Sequence, residues 1–461
     1  MKSVAIMWFR RDLRLSDNPA LVAAARHGTV LPLWIDDQAE AGERAPGAAL
    51  QVWQRHSLQA LDDSLQGQLN IRQGTAQAVL QDLMQQFDVQ AVYWNRCYEP
   101  WRVDRDTELK SWLQDQGIRA ESHNGALLWE PWEIKKSDGT PYRVFTPFFR
   151  NGCLAAPPPR RPLPRPEGLT CAQDAHRISL SQLSDLPSRP WAGRMMSHWT
   201  MGERAAQAQL ADFMASGLED YKEGRNFPAQ RTVSRLSPYL QSGEISPHQV
   251  WHAVRDAATD VNAQHFCSEL GWREFSYSLL WHQRDLHRVN LQSKFDNFSW
   301  ADPGENLQAW QRGETGIAIV DAGMRELWQT GYMHNRVRMI AASFLVKNLL
   351  IDWRHGEAWF WDTLVDADPA NNPASWQWVA GCGADAAPYF RIFNPVTQAK
   401  KFDPSGDYIR KWVPELAGRA TKDLFSLPET AAPRASTYPA PIVDLKSSRT
   451  RALSAFSDLT A

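Results

Sequence analysis

The chain has 461 residues, a net charge of −2 and 43% hydrophobic residues. This composition supplies enough apolar surface for two or more hydrophobic cores, which excludes an intrinsically disordered protein. The near-zero charge neither indicates nor excludes a polyanionic partner, so any nucleic-acid contact has to be a local basic patch.

Export, membrane anchoring and cysteine-based sites are all disfavoured. The five cysteines form no CxxC pair and are odd in number, which argues against a disulfide framework, a structural zinc site or an iron-sulfur cluster. The opening MKSVAIMWFRRDL has only six apolar residues in a row before its charges. No stretch reaches the roughly 18 apolar residues that span a bilayer. We therefore expect a cytoplasmic protein without a metal and without a membrane partner.

The first part of the chain has the pattern of a parallel sheet with crossover helices. Short β-rich runs (VAIMWF, VLPLWID, VQAVYWN) alternate with segments of helical period at 49–65 and 103–113. The first run is not followed by GxGxxG, which excludes the usual dinucleotide fingerprint. We predict an α/β, Rossmann-like domain over residues 1–130.

A proline-rich segment separates this region from a helical one. Six of the ten residues from 157 to 166 are proline, which favours an extended interdomain linker, predicted over residues 131–195. Helical periodicity follows at 205–215, 247–258, 265–282, 317–330, 334–351 and 358–365. We predict an all-α domain over residues 196–425, and a C-terminal tail over 426–461 that wraps the surface.

The segment ELGWREF combines three kinds of chemistry on one helix face. Glu269, Trp272 and Arg273 are spaced i, i+3 and i+4, so an acid, a flat ring and a cation lie together. The alternative is an ordinary surface ion pair beside a core tryptophan.

The segment RTVSRLSPYLQSGEISP is a candidate phosphate cradle. Hydroxyls at Ser234 and Ser237 precede a helix-like run, where short side chains and backbone N–H groups can bind an anion. The alternative is a capped helix start without a ligand.

Two further segments supply polar groups. In MHNRVRM, Asn335 and Met339 share a helix face with Arg338 close to it, as they also would in an ordinary amphipathic helix. In VDADPANN, Asp366 and Asp368 could answer a buried arginine or accept hydrogen bonds from a heterocycle. Loop caps and metal ligands are the alternatives, and no histidine stands nearby at ligand spacing.

The segment NNPASWQWVAG places Trp376 and Trp378 two positions apart. On a helix, successive residues turn by about 100°, so the two rings are predicted to point in nearly opposite directions. The alternative is a pair of bulky core residues.

Taken together and in this order, these segments resemble the photolyase/cryptochrome family. The resemblance covers nearly the whole chain, from MWFRRDLRLSDNPAL through RNFPAQRTVSRLSPYLQSGEISP and TGYMHNRVRMIAASFLVKNLLIDWRHGE to APYFRIFNPVTQAKKFDPSGDYIRKWVPEL and YPAPIV. It is greatest with cyclobutane pyrimidine dimer photolyases of the bacterial class III group. It implies a monomeric enzyme that repairs such dimers in DNA with light, the alternatives being a cryptochrome photoreceptor and, far behind, repair of 6-4 photoproducts.

The resemblance implies that FAD binds in the helical domain. Arg338 is expected to pair with Asp366, and Asn372 to face the flavin N5 as a neutral amide that donates a hydrogen bond without a transferable proton. Val233 stands where the family usually has threonine, so Thr232 is the candidate replacement. The implied FAD contacts are Tyr221, Ser234, Leu236, Ser237, Phe266, Arg273, Asn335, Arg338, Asp366, Asp368 and Asn372.

The resemblance also implies the remaining site residues. Electrons would reach the flavin along a relay that starts at Trp376 and continues through Trp353 to Trp310. The flipped dimer would be hydrogen-bonded by Glu269, lined by Asn335 and Met339, and enclosed by the flat rings of Trp272 and Trp378.

Contacts outside the lesion pocket complete the implied set. Arg336, Lys400 and Lys401 are candidate phosphate contacts, with solvated surface charge as the alternative. Glu99 is a candidate contact of a light-harvesting antenna chromophore. The folate 5,10-methenyltetrahydrofolate is the expected antenna, with a deazaflavin or a second flavin as alternatives.

Overall fold

A computed structural model describes residues 1–386, 390–426 and 438–460 of the chain. Its strands are β1 Lys2–Phe9, β2 Thr29–Asp36, β3 Asn70–Gln73, β4 Phe87–Asn95, β5 Arg119–His123 and β6 Thr170–Cys171. Its α-helices are α1 Pro19–Ala25, α2 Ala48–Ser64, α3 Ala76–Gln86, α4 Pro100–Asp115, α5 Phe145–Pro147, α6 Pro190–Met196, α7 Glu203–Ser216, α8 Tyr221–Gly224, α9 Ser237–Ser242, α10 Pro247–Ala257, α11 Val261–His282, α12 Gly304–Arg312, α13 Ala318–Thr330, α14 Asn335–Ser343, α15 Trp353–Thr363, α16 Asn371–Ala380, α17 Pro395–Phe402, α18 Asp407–Trp412, α19 Thr421–Leu424 and α20 Leu445–Thr460. Two π-helices, Phe148–Gly152 and Phe344–Asn348, complete the helical elements discussed below.

The sheet is parallel, as the sequence predicts. Its strand order is β3-β2-β1-β4-β5, with the short β6 paired to β2. Strand β1 lies at the centre, and its successive side chains enter different cores: Val4, Ile6 and Trp8 on one face, Ala5 and Met7 on the other. Both faces are therefore covered, which explains the uninterrupted apolar runs in the sequence.

The strand order reverses between β1 and β4, which pair directly. In such sheets, the carboxyl ends of the two strands on either side of this point leave a crevice that commonly binds ligands. The segments that leave β1 and β4, residues 10–18 and 96–99, therefore mark a ligand-binding position in this part of the molecule.

Backbone contacts divide the chain into two units that differ from the predicted domains. The first unit contains Met1–Tyr142, Thr146–Ala215 and Ser234–Arg284, and the second contains Arg143–Phe145, Ser216–Val233 and Asp285–Ala461. Helices α10 and α11 thus belong with the sheet, although helical periodicity alone assigns them to the C-terminal domain. Most of the predicted linker also packs within the first unit, where Phe148 and Phe149 are buried.

The predicted helices are present, with shifted ends. The segment predicted as one helix over 334–351 is α14 followed by the π-helix Phe344–Asn348, and the helix predicted over 358–365 begins earlier, at Trp353. The predicted tail contains the 16-residue helix α20, which packs against the Phe344–Asn348 π-helix. Residues 427–437 of that tail, and 387–389 of the APYFRIF segment, lie outside the described residues.

Among the described residues, no helix is both long enough and apolar enough to cross a membrane.

Candidate functional site

In the second unit, Arg338 and Asp366 form a buried ion pair. Nη2 of Arg338, on α14, lies 2.8 Å from Oδ2 of Asp366, whose side chain is 3% exposed. Nε of Arg338 donates to the Met333 carbonyl oxygen at 2.7 Å. Burial alone would disfavour the charged guanidinium, but the Asp366 carboxylate raises the pKa of Arg338 above its ordinary value. The predicted pairing is confirmed.

Asp368 and Asn372 lie at the start of α16. Oδ1 of Asp368 accepts the backbone N–H groups of Ala370 and Asn371 at 3.0 and 2.8 Å, so this carboxylate caps the helix. Nδ2 of Asn372 donates to the main-chain oxygen and to Oε1 of Glu357, both at 3.0 Å. Because both amide hydrogens are used, Asn372 can offer a ligand only its oxygen, which is an acceptor. The family resemblance instead implies that Asn372 donates a hydrogen bond to the flavin N5.

The two tryptophans of α16 face different surroundings, as predicted. Trp376 is buried, with its ring centre 5.0 Å from that of Phe360 and 6.1 Å from that of Trp310. Trp378 is partly exposed, and its Nε1 donates to the Asp385 carbonyl oxygen at 3.1 Å. One helix therefore presents one indole to the core and another to a partly open surface.

The other relay residues differ in part from the predicted order. Trp353 is fully buried at the start of α15, where its Nε1 donates to Asn290 at 3.0 Å. Trp310 is also fully buried, donates to the Ala341 carbonyl oxygen at 3.0 Å, and contacts Trp376 directly. Trp310 thus lies beside the first relay residue, and a ring with no exposed surface cannot be the end that exchanges electrons with solvent.

A glycine on α15 brings Trp376 close to the helix that carries Trp353. A Cβ atom added at Gly356 would lie 2.1 Å from Cη2 of Trp376, which is far inside contact distance. The glycine therefore allows the indole to lie directly on the α15 backbone, one turn after Trp353.

A basic patch surrounds the start of α14 and the end of α17. The guanidinium of Arg336 lies 4.4 Å from the ring centre of Phe402, and Nζ of Lys401 lies 5.2 Å from the same centre. Lys400 is exposed beside them. The structure thus brings two of the predicted phosphate contacts, Arg336 and Lys401, to one aromatic ring.

The predicted lesion contacts on α14 adjoin this patch. Asn335 is exposed, Met339 is half-buried, and Nη1 of Arg336 lies 3.7 Å from the Met339 sulfur. Burial, and secondly the like charge of Arg225, lower the pKa of Arg336. The like charges of Arg225 and Arg336 favour an anionic ligand in this region.

Tyr221 and Thr232 are the remaining predicted flavin contacts of this unit. Tyr221 is buried in α8, with the Arg225 guanidinium 5.5 Å from its ring centre. Thr232 packs on Gly224, and its Oγ1 is buried without a hydrogen-bond partner among the described residues. A buried hydroxyl of this kind is suited to a ligand atom, in keeping with its predicted role as a replacement at Val233.

In the first unit, the candidate phosphate cradle precedes α9. The Ser234 hydroxyl accepts the Leu236 N–H at 3.4 Å, and Gln209 donates to the Ser234 carbonyl oxygen at 3.0 Å. Leu236 is buried, and Ser237 is the first residue of the helix. Leu236 is the N-cap residue of α9, and its apolar side chain makes no cap hydrogen bond.

The ELGWREF segment lies on α11, where Arg273 pairs with Glu274 and not with Glu269. Nη1 of Arg273 lies 3.0 Å from Oε1 of Glu274, and the other carboxylate oxygen, Oε2, accepts the Leu128 N–H at 2.8 Å. Burial raises the pKa of Glu274 to about 7 in spite of this cation. Arg273 and Glu274 therefore form a structural pair, and Glu269 is left out of it.

The other predicted residues on α11 occupy two environments. Glu269 is half-buried with Oε1 3.8 Å from Nε2 of His265, and Trp272 is half-buried in edge contact with Phe275, their ring centres 5.9 Å apart. Phe266 is buried against Phe213, with the ring centres 4.6 Å apart. Phe266 is thus a core residue of the first unit, whereas Glu269 and Trp272 keep accessible surface.

Glu99 lines a cavity at the crevice predicted by the strand order. About 340 Å³ here is free of protein atoms, open solvent included, and Arg11, Cys97 and Arg273 also line this space. Oε1 of Glu99 lies 3.1 Å from Nη1 of Arg11, while Oε2 is buried without a partner among the described residues. Burial alone would raise the pKa of Glu99, but Arg11 and Arg102 hold it below its ordinary value.

Comparison with known proteins identifies the family. Residues 5–167 match the DNA photolyase family, and residues 266–458 match the FAD binding domain of DNA photolyase. A deoxyribodipyrimidine photo-lyase of Agrobacterium fabrum is 48% identical over 469 residues, which cover 98% of this chain and 97% of that protein. The chain belongs to the DNA photolyase family.

Two solved photolyase structures share the fold. A bacterial class III photolyase from Agrobacterium tumefaciens has a TM-score of 0.94 and 45% identity, covering 100% of this chain and 98% of its own. An archaeal photolyase from Sulfolobus tokodaii, described with two FAD molecules and a novel light-harvesting cofactor, has a TM-score of 0.85 and 30% identity. The match covers 98% of this chain and 99% of the archaeal chain.

The residues present fit the FAD of a photolyase. The second unit offers the buried Thr232 hydroxyl, the Asn372 amide oxygen and the Arg338–Asp366 pair, which together suit a ligand with both phosphate and heterocyclic groups. The described residues contain no group of three or more His, Cys, Asp or Glu that could hold a metal ion.

Sequence reasoning missed three residues of this photolyase site. Glu357 orients Asn372, Gly356 admits Trp376, and Arg225 adds a cation beside Arg336. The glycine within the helical run WRHGEAW is a visible signal, since mid-helix glycine is costly unless a close approach requires it. Glu357 and Arg225 act on residues distant in sequence, and no local pattern indicates them.

Proposed function

We propose that the protein is a deoxyribodipyrimidine photo-lyase that repairs cyclobutane pyrimidine dimers in DNA with light. The similarity to a photo-lyase over nearly the full length of both chains supports this activity. Bound FAD, reduced and excited by light, supplies the electron that splits the dimer and receives it back. The residues of this chain hold that cofactor, hold the lesion and exclude competing proton transfer.

The observation that carries the proposal is the amide of Asn372. Glu357 holds both hydrogens of Nδ2, so the oxygen is fixed as a neutral acceptor at the start of α16. A neutral amide at this position has no proton to transfer to the cofactor, whereas a carboxylic acid would have one. This environment favours repair over the cryptochrome alternative.

The Arg338–Asp366 pair and Asp368 complete the side of the site that holds the flavin ring. Arg338 keeps a positive charge in a buried place because Asp366 is 2.8 Å away, so a fixed cation is present without a mobile counterion. We assign phosphate contacts to Ser234, Leu236 and Ser237, with Tyr221, Phe266 and Arg273 as further FAD contacts.

Lesion recognition requires the dimer to leave the base stack, which costs less than for an intact base because pairing is already weakened. The Glu269 carboxylate would accept a hydrogen bond from an N–H group on the polar edge of the dimer. Trp272 and Trp378, both partly exposed, would stack on its faces, and Asn335 with Met339 would contact its rim.

DNA phosphates would be held by the basic patch of the second unit. Arg336 and Lys401 flank the ring of Phe402, and Lys400 lies beside them at the surface. Arg225 extends the patch. These cations provide salt-dependent affinity in a protein whose net charge is only −2.

The electron relay that keeps the cofactor reduced would begin at Trp376 and continue to Trp353. Its outer end must be a partly exposed ring, which excludes the fully buried Trp310 and favours Trp300. The N–H of Ala301, next to Trp300, donates to the Leu350 carbonyl oxygen at 2.8 Å, close in sequence to Trp353. Trp310 then supports the inner indole.

An antenna chromophore would bind at the cavity of the first unit. The buried Oε2 of Glu99 is an acceptor suited to the N–H groups of a pterin such as that of 5,10-methenyltetrahydrofolate. The archaeal photolyase with two FAD molecules keeps the flavin alternative open. Extraction of the purified protein and analysis of the released chromophore distinguishes them.

One experiment tests the activity. Chemically reduced protein, with FAD bound, is mixed with an oligonucleotide that contains one thymine dimer and is illuminated, and recovery of thymine absorbance is followed. Repair is expected under light and not in the dark, from protein that remains a monomer in size-exclusion chromatography. No recovery by fully reduced, illuminated protein would reject the photo-lyase and favour a photoreceptor.

A further inference from the structure

Lys347 is a buried amine that the proposed function does not use. It lies on the π-helix Phe344–Asn348 with 1% of its surface exposed. Nζ donates to the Arg391 carbonyl oxygen at 3.0 Å and stands 3.6 Å from the ring centre of Phe390. An ammonium group has three N–H donors, and within the described ranges this one has a single acceptor. Such a group is costly to bury unless a further partner is provided.

The amine lines a cavity whose chemistry suits an anion. About 340 Å³ here is free of protein atoms, open solvent included, and Ser343, Trp378 and Arg391 also line this space. The Ser343 hydroxyl oxygen accepts the Phe393 N–H at 3.3 Å, so its own O–H can donate to a ligand. No acidic residue is among the described residues that line the cavity. Two cations and a hydroxyl donor therefore face one space.

We propose that this cavity binds a tetrahedral oxyanion, and that the occupant is a phosphate of the lesion-bearing DNA strand. The anion site rests on the cavity itself, whereas the identity of the occupant rests on the proposed function. Trp378 supports the assignment of the occupant as a DNA phosphate, because the indole proposed to stack on the dimer also lines this cavity. Arg391 is exposed, so the cavity adjoins a cation at the surface that a phosphate can reach first.

The protonation of Lys347 makes the binding measurable. Burial lowers the pKa of Lys347 to about 7, with a small opposing effect from Cys382. An anion beside Nζ favours the ammonium form and raises that pKa. Below pH 7 the amine already carries its proton, and above pH 7 binding must take one up, so affinity falls as pH rises through and above 7.

Other charges near Lys347 do not imitate this signal. Cys382 has its pKa raised by burial to about 12 and stays neutral. From α20, Arg451 donates to the Asn348 carbonyl oxygen at 2.7 Å, and at the start of α15 Asp352 and Arg354 pair with each other at 2.9 Å. Arg451 and the Asp352–Arg354 pair therefore have partners of their own.

The test uses the flavin-loaded protein and sulfate, a tetrahedral oxyanion whose charge is constant between pH 6 and 8. Calorimetric titrations in two buffers of different ionisation enthalpy count the protons taken up on binding. We expect uptake of nearly one proton at pH 8 and little at pH 6. Lys347→Met should weaken sulfate about tenfold or more and abolish the uptake. Lys294→Met, which removes an exposed lysine beside Phe295 and Phe456, is the matched control and should bind as the parent does.

Two results would overturn the site. One is sulfate binding without proton uptake in the parent protein, which needs no variant and so does not depend on the folding of Lys347→Met. The other is unchanged sulfate affinity in Lys347→Met or in Lys347→Gln, which retains an N–H for the Arg391 carbonyl.

A second titration identifies the occupant. Dimer-containing oligonucleotide should displace sulfate, and Lys347→Met should weaken the dimer-containing strand about tenfold while leaving undamaged DNA nearly unchanged. Sulfate binding through Lys347 without any effect on lesion DNA would refute the DNA phosphate and leave a free oxyanion as the ligand. Failure of the parent to prefer dimer DNA at all would reject the proposed function while the sulfate result stands.

Discussion

Replacement of Gly356 by alanine tests how closely Trp376 approaches α15. The added Cβ would lie 2.1 Å from Cη2 of the indole, whereas ordinary contact begins near 3.4 Å, so ring or helix must move by 3.4 − 2.1 = 1.3 Å. Overpacking of this kind costs about 1–3 kcal/mol. Alanine gains about 1 kcal/mol over glycine in a helix interior. We therefore expect a net destabilisation of about 1 kcal/mol.

Gly193→Ala is the matched control for this substitution. Gly193 lies on α6, and nothing stands within 4 Å of a Cβ added there, so only the helix-forming gain remains. The midpoint of thermal unfolding should fall by about 1 °C for Gly356→Ala and should not fall for Gly193→Ala.

The same displacement should slow electron transfer along the relay. Photoreduction of oxidised FAD in Gly356→Ala is expected to be slower than in the parent, measured by the loss of flavin absorbance under blue light. Repair by chemically reduced protein should be nearly unchanged, because that reaction does not use the relay. Parental unfolding and parental photoreduction together in Gly356→Ala would refute the close packing of Trp376 on α15.

Three other substitutions separate the proposed roles. Trp353→Phe should block photoreduction of oxidised FAD and leave repair by pre-reduced protein intact; an equal loss of both would remove Trp353 from the relay. Glu269→Gln should keep FAD bound and photoreducible but lower the repair yield per photon at saturating lesion, since a lost buried contact costs about 1–3 kcal/mol. Unchanged yield would deny Glu269 its role. Replacing Lys400 and Lys401 by alanine should reduce the slope of log affinity against log salt by about 2 for damaged and undamaged DNA alike. An unaltered slope would show that both lysines are solvated surface charges and do not contact phosphate.

Local sequence patterns determined the elements of the fold. The apolar runs of β1, β2 and β4 and the helical periods of α2, α7, α10 and α13 predict their elements to within a few residues. These patterns are reliable because a strand or helix buried on a known face must repeat apolar residues at its own period. The opposite directions of Trp376 and Trp378 follow from helix geometry in the same way.

The family resemblance also predicted residues of the functional site. It indicated the Arg338–Asp366 pair, which the structure contains, and it drew attention to Thr232, whose hydroxyl is buried without a partner among the described residues. The resemblance placed Trp310 after Trp353 in the relay, whereas the Trp310 ring lies beside that of Trp376. A motif indicates which residues matter, but it does not determine which rings touch.

Tertiary structure alone decided the contacts between distant segments. Periodicity cannot reveal that α10 and α11 belong to the same unit as the sheet, that Glu357 fixes the Asn372 amide, or that Lys347 reaches the Arg391 carbonyl across 44 residues. Each of these depends on where the chain returns after a long excursion. The sequence therefore determined the elements and the family, and the folded chain determined which charges are buried together, because burial and pairing are properties of three-dimensional neighbours.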